Sequence, residues 1–177
     1  DKVGVMLFSD HTELFIPPQK GKQHILRIIR EILTAKPTGR GTDIAGALQF
    51  VHNALKKRCV CFLLSDFLDD KYERALGILA RQHDCIGIHC WDALERDLPD
   101  VGVLRVADAE TGQQTWVDTT SIRLRRQYAQ TFEAHLVATQ SMFRRVGADF
   151  LSLRTDQPYV QALLEFFNRR SKVVAHG

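Results

Sequence analysis

Apolar residues in this 177-residue chain form short continuous runs that alternate with stripes of helical period. Val3–Phe8 is a near-continuous apolar run, suited to a strand covered on both faces. Leu14–Ile16 predicts a short partner strand after the Ser9–Asp10–His11 turn, closed by Pro17–Pro18. Ile25, Ile28, Ile29, Ile32 and Leu33 share one face of an amphipathic helix, which Pro37 and Gly39 end. Ile44, Ala47, Leu48 and Val51 predict a second helix, starting at Thr42–Asp43. A strongly apolar strand over Cys59–Leu64 runs into Ser65–Asp66; a helix over Tyr72–Arg81 and a strand over Cys85–Cys90 follow.

Two later runs, Val103–Val106 and Thr115–Val117, flank Asp108–Gly112 and predict a β-hairpin insertion. The stripe Leu124, Tyr128, Phe132, Leu136, Thr139, Phe143 then marks the inner face of a long helix. Phe150–Leu153 is a last short strand and Tyr159–Arg169 a closing helix. Strand–helix–strand alternation at this spacing argues a mostly parallel sheet with right-handed crossovers, in a three-layer α/β/α domain of Rossmann-like class. At 45% hydrophobic and 25% charged residues, the chain fits a single domain over 1–177.

The apolar runs are of strand length, so none spans a membrane, and no signal peptide is present. The chain opens on Asp1 and runs straight into a strand, so it reads as an excised piece of a larger protein. The net charge of +3 is mild, and its excess lies in late arginines such as Arg123, Arg125, Arg126, Arg154 and Arg170. Nearby aromatics fall at core spacing, not as a stacking platform, which argues against nucleic-acid binding. Cys59 and Cys61 share a strand face, but with Cys85 and Cys90 they form no CxxC pair. That argues against zinc and for buried thiols in a reducing compartment.

Thr42 and Asp66 stand out as chemistry. Each is a hard oxygen ligand where a strand or loop meets a helix, the place where parallel α/β proteins hold ligands. Helix capping is the competing reading for both. Asp69 and Asp70 read as the solvated start of the next helix, and Ser9–Asp10 as a turn. No HExxH, GxSxG or GxxxxGK[ST] motif occurs, and the seven histidines suggest no triad.

In its order of elements the chain resembles the von Willebrand factor type A (vWA) domain. More narrowly it resembles the bacterial family called domain of unknown function 58. The resemblance rests on residues 1–10, Pro17–Gly21, GTDIAGAL (41–48), CVCFLLSDF (59–67) and the segment 83–102 with Asp92, Glu95, Leu98 and Pro99. DAETGQ (108–113) and EFFNRR (165–170) complete it. vWA domains hold magnesium at a metal-ion-dependent adhesion site, through a DxSxS motif, a threonine and an aspartate. Thr42 and Asp66 match the last two, while DxSxS is absent and expected upstream of residue 1 together with the family's first strand.

The resemblance thus implies an N-terminally truncated domain with a partial site, Mg2+ in the full-length protein and none bound in this piece. It also implies a non-enzymatic protein–protein interaction module, an adaptor to a MoxR-type AAA+ ATPase in a chaperone-like system; the expected location is cytoplasmic, with a parent protein that can be membrane-associated. The alternative is a magnesium-dependent phosphohydrolase using Asp66, Asp69 and Asp70, with Asp10 as nucleophile.

Overall fold

The computed structural model describes residues 1–69, 71–107 and 114–174, with side chains described up to Ser171. It is a mixed α/β structure with a parallel sheet flanked by helices and two antiparallel hairpins. The chain divides into two compact units, one of residues 1–57 and 69–79, the other of residues 58–68 and 80–177.

In the first unit, β1 (Val3–Phe8) pairs antiparallel with β2 (Thr12–Gln19). β1 was expected to be covered on both faces; instead it forms a two-stranded ribbon and leaves Val3 and Gly4 exposed. β2 is longer than its apolar pattern and runs through both prolines. It can do so because β2 is an edge strand, where a residue without an N–H breaks no ladder, and because the register shifts between Val3 and Val5.

Gly21, at φ 115°, turns the chain into α1 (Lys22–Thr34). The His24 ring bonds the Val3 carbonyl at 2.8 Å. Of the predicted apolar stripe on α1 only Ile28 is buried; Ile25, Ile29, Ile32 and Leu33 are exposed, Leu33 by 79%. α2 (Ile44–Ala54) buries Ile44, Ala47 and Leu48, and its Phe50 meets Phe15 edge-on at 5.1 Å. Tyr72, just before the next helix, and Leu76 and Leu79 in that helix, α3 (Glu73–Gln82), add buried side chains.

The second unit is layered as its alternation predicted. β3 (Val60–Ser65), β4 (Asp84–Trp91) and β7 (Asp149–Arg154) form a parallel sheet in the order β3-β4-β7. β4 lies in the middle and is the most buried strand, as a run covered on both faces should be. α6 (Tyr159–Val174) covers one face, setting Phe166 and Leu163 on Ile86, Ile88, Cys90, Leu151 and Leu153. α5 (Ile122–Arg145) covers the other, where Phe143 packs on Gly87 and Phe132 lies 5.9 Å from His89 and 4.8 Å from Trp91. Alternate residues of one strand thus feed two different cores.

A one-turn helix, α4 (Ala93–Arg96), follows β4. β5 (Val103–Ala107) and β6 (Gln114–Asp118) form the expected hairpin. Its base is closed by buried Thr119, whose hydroxyl donates to the Gly102 carbonyl at 2.6 Å and accepts from the Val101 N–H at 3.1 Å. The hairpin tip DAETGQ (108–113), Asp70 and His176 lie outside the described residues. Among the described residues, no helix is long and apolar enough to cross a membrane.

Candidate functional site

The segment before α2 is held by a carboxylate that the sequence pattern did not single out. Glu13, on β2, accepts from the Ser9 hydroxyl at 2.7 Å, the Thr38 N–H at 2.8 Å and the Gly39 N–H at 2.9 Å. Its second oxygen accepts from the Thr38 hydroxyl at 2.8 Å. The Gly39 N–H, followed by the Ser9 and Thr38 groups, holds the Glu13 carboxyl down at about 2. One turn further, the Asp43 N–H donates to the Ser9 carbonyl at 2.8 Å. Gly39 is required by close approach, since a Cβ there would run into the Ser9 and Asp10 side chains. The loop leading to Thr42 is therefore fixed to the end of β1 and the start of β2.

Asp43 is the N-cap of α2, its carboxylate accepting from the Gly46 N–H at 2.8 Å. The capping reading of this segment thus belongs to Asp43, and exposed Thr42, one residue earlier, is not the cap. Asp69 is half-buried, not a freely solvated helix start. Its two oxygens accept from the Ile44 N–H at 3.1 Å and the Lys71 N–H at 2.9 Å, so it ties down the first turn of α2.

Ser9, Asp10 and His11 come together without forming a relay. His11 Nδ1 lies 2.6 Å from Asp10 Oδ1 and 3.5 Å from Ser9 Oγ, so both partners share one ring nitrogen. A nucleophile–base–acid relay needs them on opposite nitrogens. The hydrogen bond between the pair lowers the Asp10 pKa and raises that of His11.

In the second unit Asp66 lies directly after β3, exposed, at the carboxyl end of the parallel sheet. Its Oδ1 accepts from the Leu68 N–H and the Ser65 hydroxyl, both at 3.3 Å. The next residue, Phe67, has φ 58° and is fully buried. Its ring sits 5.2 Å from Phe143 and 5.8 Å from Phe150. A bulky side chain in the left-handed region costs roughly 1–2 kcal/mol, so core packing holds the turn that presents Asp66.

Beneath that turn His89 is buried, with Nδ1 3.0 Å from the Ser152 hydroxyl. Burial lowers its pKa, repulsion from His135 adds to this, and the Asp66 charge opposes both.

Other charged residues singled out in the sequence serve structure. Asp92 and Glu95 form a capping box on α4, with the Asp92 N–H 2.7 Å from Glu95 Oε1 and the Leu94 N–H 2.9 Å from Asp92 Oδ1. Arg125, near the start of α5, pairs with Asp100 at 2.8 Å and caps the Thr119 carbonyl. Arg170 reaches Asp84 at 2.6 Å and Asp149 at 3.0 Å, and Arg154 pairs with Asp156 at 2.6 Å.

The family described as "Protein of unknown function DUF58" matches residues 1–138. The chain belongs to the DUF58 family. This DUF58 chain is 30% identical over 165 residues to the uncharacterized protein MAV169 of Mycobacterium avium, covering 92% of the chain and 97% of that protein. It is 28% identical over 183 residues to the uncharacterized protein Rv1480 of Mycobacterium tuberculosis, covering 99% of the chain but 57% of that protein. The uncharacterized protein Mb1516 of Mycobacterium bovis matches to the same extent. Among solved structures, the conserved hypothetical protein BatB from Bacteroides thetaiotaomicron is similar at TM-score 0.44 and 10% identity, over the whole of this chain and 80% of that one.

Proposed function

We propose that this DUF58 chain is a vWA-like, non-enzymatic protein–protein interaction module of the cytoplasm. Its partner is a MoxR-type AAA+ ATPase, bound as an adaptor binds in a chaperone-like system. The observation that carries this reading is the face of α1: Ile25, Ile29, Ile32 and Leu33 form an apolar stripe that the fold leaves open. Exposed apolar stripes of this kind mark surfaces that bind other proteins.

Mg2+ is the proposed bridge to the partner, with Thr42 in the first unit and Asp66 in the second as its candidate ligands. Both side chains are exposed hard oxygen donors, and capping of α2 falls to Asp43. Two protein oxygens are a partial set; in the full-length protein the DxSxS motif that the vWA resemblance implies would supply the rest, leaving a position for a carboxylate from a partner. The shared nitrogen of His11 and the engaged oxygens of Asp69 favour binding over hydrolysis.

The test measures binding of a MoxR-type ATPase by the full-length protein in Mg2+, in chelator, and with Asp66→Ala. Binding lost in the last two supports the bridge. Binding that survives both refutes it. Ile29→Glu with Ile32→Glu should weaken capture at least tenfold, and unchanged capture removes α1 from the interface.

A further inference from the structure

The amino end of the parallel sheet, opposite the edge that carries Asp66, gathers three of the chain's four cysteines. Cys59 precedes β3, Cys61 lies in it, and His83 sits just before β4. Cys59 Sγ lies 3.5 Å from Cys61 Sγ and 3.3 Å from His83 Nδ1, and all three donor atoms fall within 4.8 Å of one another. Cys85 stands beside Cys61 in the parallel register and hydrogen-bonds it. All four cysteines are free thiols.

These distances have a chemical meaning. A tetrahedral zinc ion, with bonds of about 2.3 Å to sulfur and about 2.0–2.1 Å to nitrogen, has edges of roughly 3.8 Å between sulfurs and roughly 3.6 Å from sulfur to nitrogen. The two separations from Cys59, to Cys61 and to His83, fall within about 0.3 Å of those edges, and Cys61 and His83 lie within 4.8 Å of each other. Three cysteines and one histidine are also a donor set of structural zinc sites, and thiolate with imidazole selects a soft or borderline metal over magnesium.

We infer that Cys59, Cys61, His83 and Cys85 form a structural site for one zinc-class divalent ion. His83 and Cys85 are buried, while Cys59 and Cys61 are partly exposed and give the ion an entry. The site joins the starts of β3 and β4, so it fastens the sheet at the end that carries no candidate ligand loop.

The experiment uses the reduced chain, stripped of metal and titrated with Zn2+ against a chromophoric chelator, then with Co2+ as a spectroscopic probe. One equivalent of Zn2+ with submicromolar affinity is expected, together with the thiolate charge-transfer bands of tetrahedral Co2+. Cys59→Ser and His83→Gln should each weaken binding at least tenfold. Cys90→Ser, on the opposite sheet face, should leave it unchanged.

Absence of stoichiometric Zn2+ binding by the native chain overturns the site. So does a Co2+ spectrum lacking thiolate bands, which needs no variant to fold. Wild-type affinity in Cys59→Ser, confirmed as folded by circular dichroism, overturns it equally.

Discussion

Replacing Gly87 by alanine puts one methyl group on β4 against the Phe143 ring of α5. A Cβ at position 87 would run into the ring of Phe143. That ring cannot easily give way, because Phe143 is fully buried with Phe67 and Phe150 both 5.2 Å from it. Overpacking a filled core costs about 1–3 kcal/mol. Loss of glycine's freedom in the unfolded chain returns about 0.4–1 kcal/mol. A site with no slack belongs near the upper end, so the net cost should be about 2 kcal/mol, or a Tm lowered by about 4–8 °C for a chain of this size. Urea unfolding followed by circular dichroism measures it. Phe143→Leu, destabilising alone, should relieve the clash, so the double variant should be at least about 1 kcal/mol more stable than the sum of the single costs. A Gly87→Ala protein within about 0.5 kcal/mol of wild type, or strictly additive costs, would refute the packing described for this face.

Phe67→Ala should cost about 3–5 kcal/mol as a buried aromatic truncation. Phe67→Gly should be no less stable than Phe67→Ala, reversing the usual order, because φ at this position is 58°; a clearly less stable glycine variant would show that the turn is not left-handed. Asp43→Ala should cost about 0.5–2 kcal/mol as a lost cap, whereas Thr42→Ala should change stability by less than about 0.5 kcal/mol. Equal losses by thermal denaturation would return Thr42 to a structural role. The Glu13 carboxyl is held near 2 in the folded chain against an ordinary value of 4.5. Its stabilisation is therefore complete above about pH 4.5 and is lost as pH falls toward 2. Glu13→Gln should flatten acid unfolding over that window, and an unchanged profile would place the acid sensitivity elsewhere.

The parallel sheet was legible because burial on both faces writes apolar runs directly into the sequence. β4 is the clearest case, with Ile86 and Ile88 serving one core and Gly87 and His89 the other. The α1 stripe was legible as a helix face, but periodicity reports amphipathicity, not what covers it. Glu13 was invisible because its partners, Thr38 and Gly39, lie about 25 residues away in the chain. Asp69 was misread for the same reason, its partner being the Ile44 N–H. The Cys59–x–Cys61 and His83–x–Cys85 pairs did carry a signal, since β3 and β4 align Cys61 with Cys85. CxxC spacing is not the pattern a strand writes, because residues two apart share a strand face while residues three apart do not.

Phe67 makes the Ser65–Asp66–Phe67 segment a composite of two histories. The aspartate faces solvent and answers to whatever the surface binds; the phenylalanine answers to the core, where its ring is wedged between α5 and β7. Replacing the exposed aspartate should cost folding little while the phenylalanine is kept. A relative so changed would still be recognised as kin through its packing. Membership in the family and possession of the proposed ion site are therefore separable traits, and relatives should be sorted by residue 66 before the proposal is extended to them.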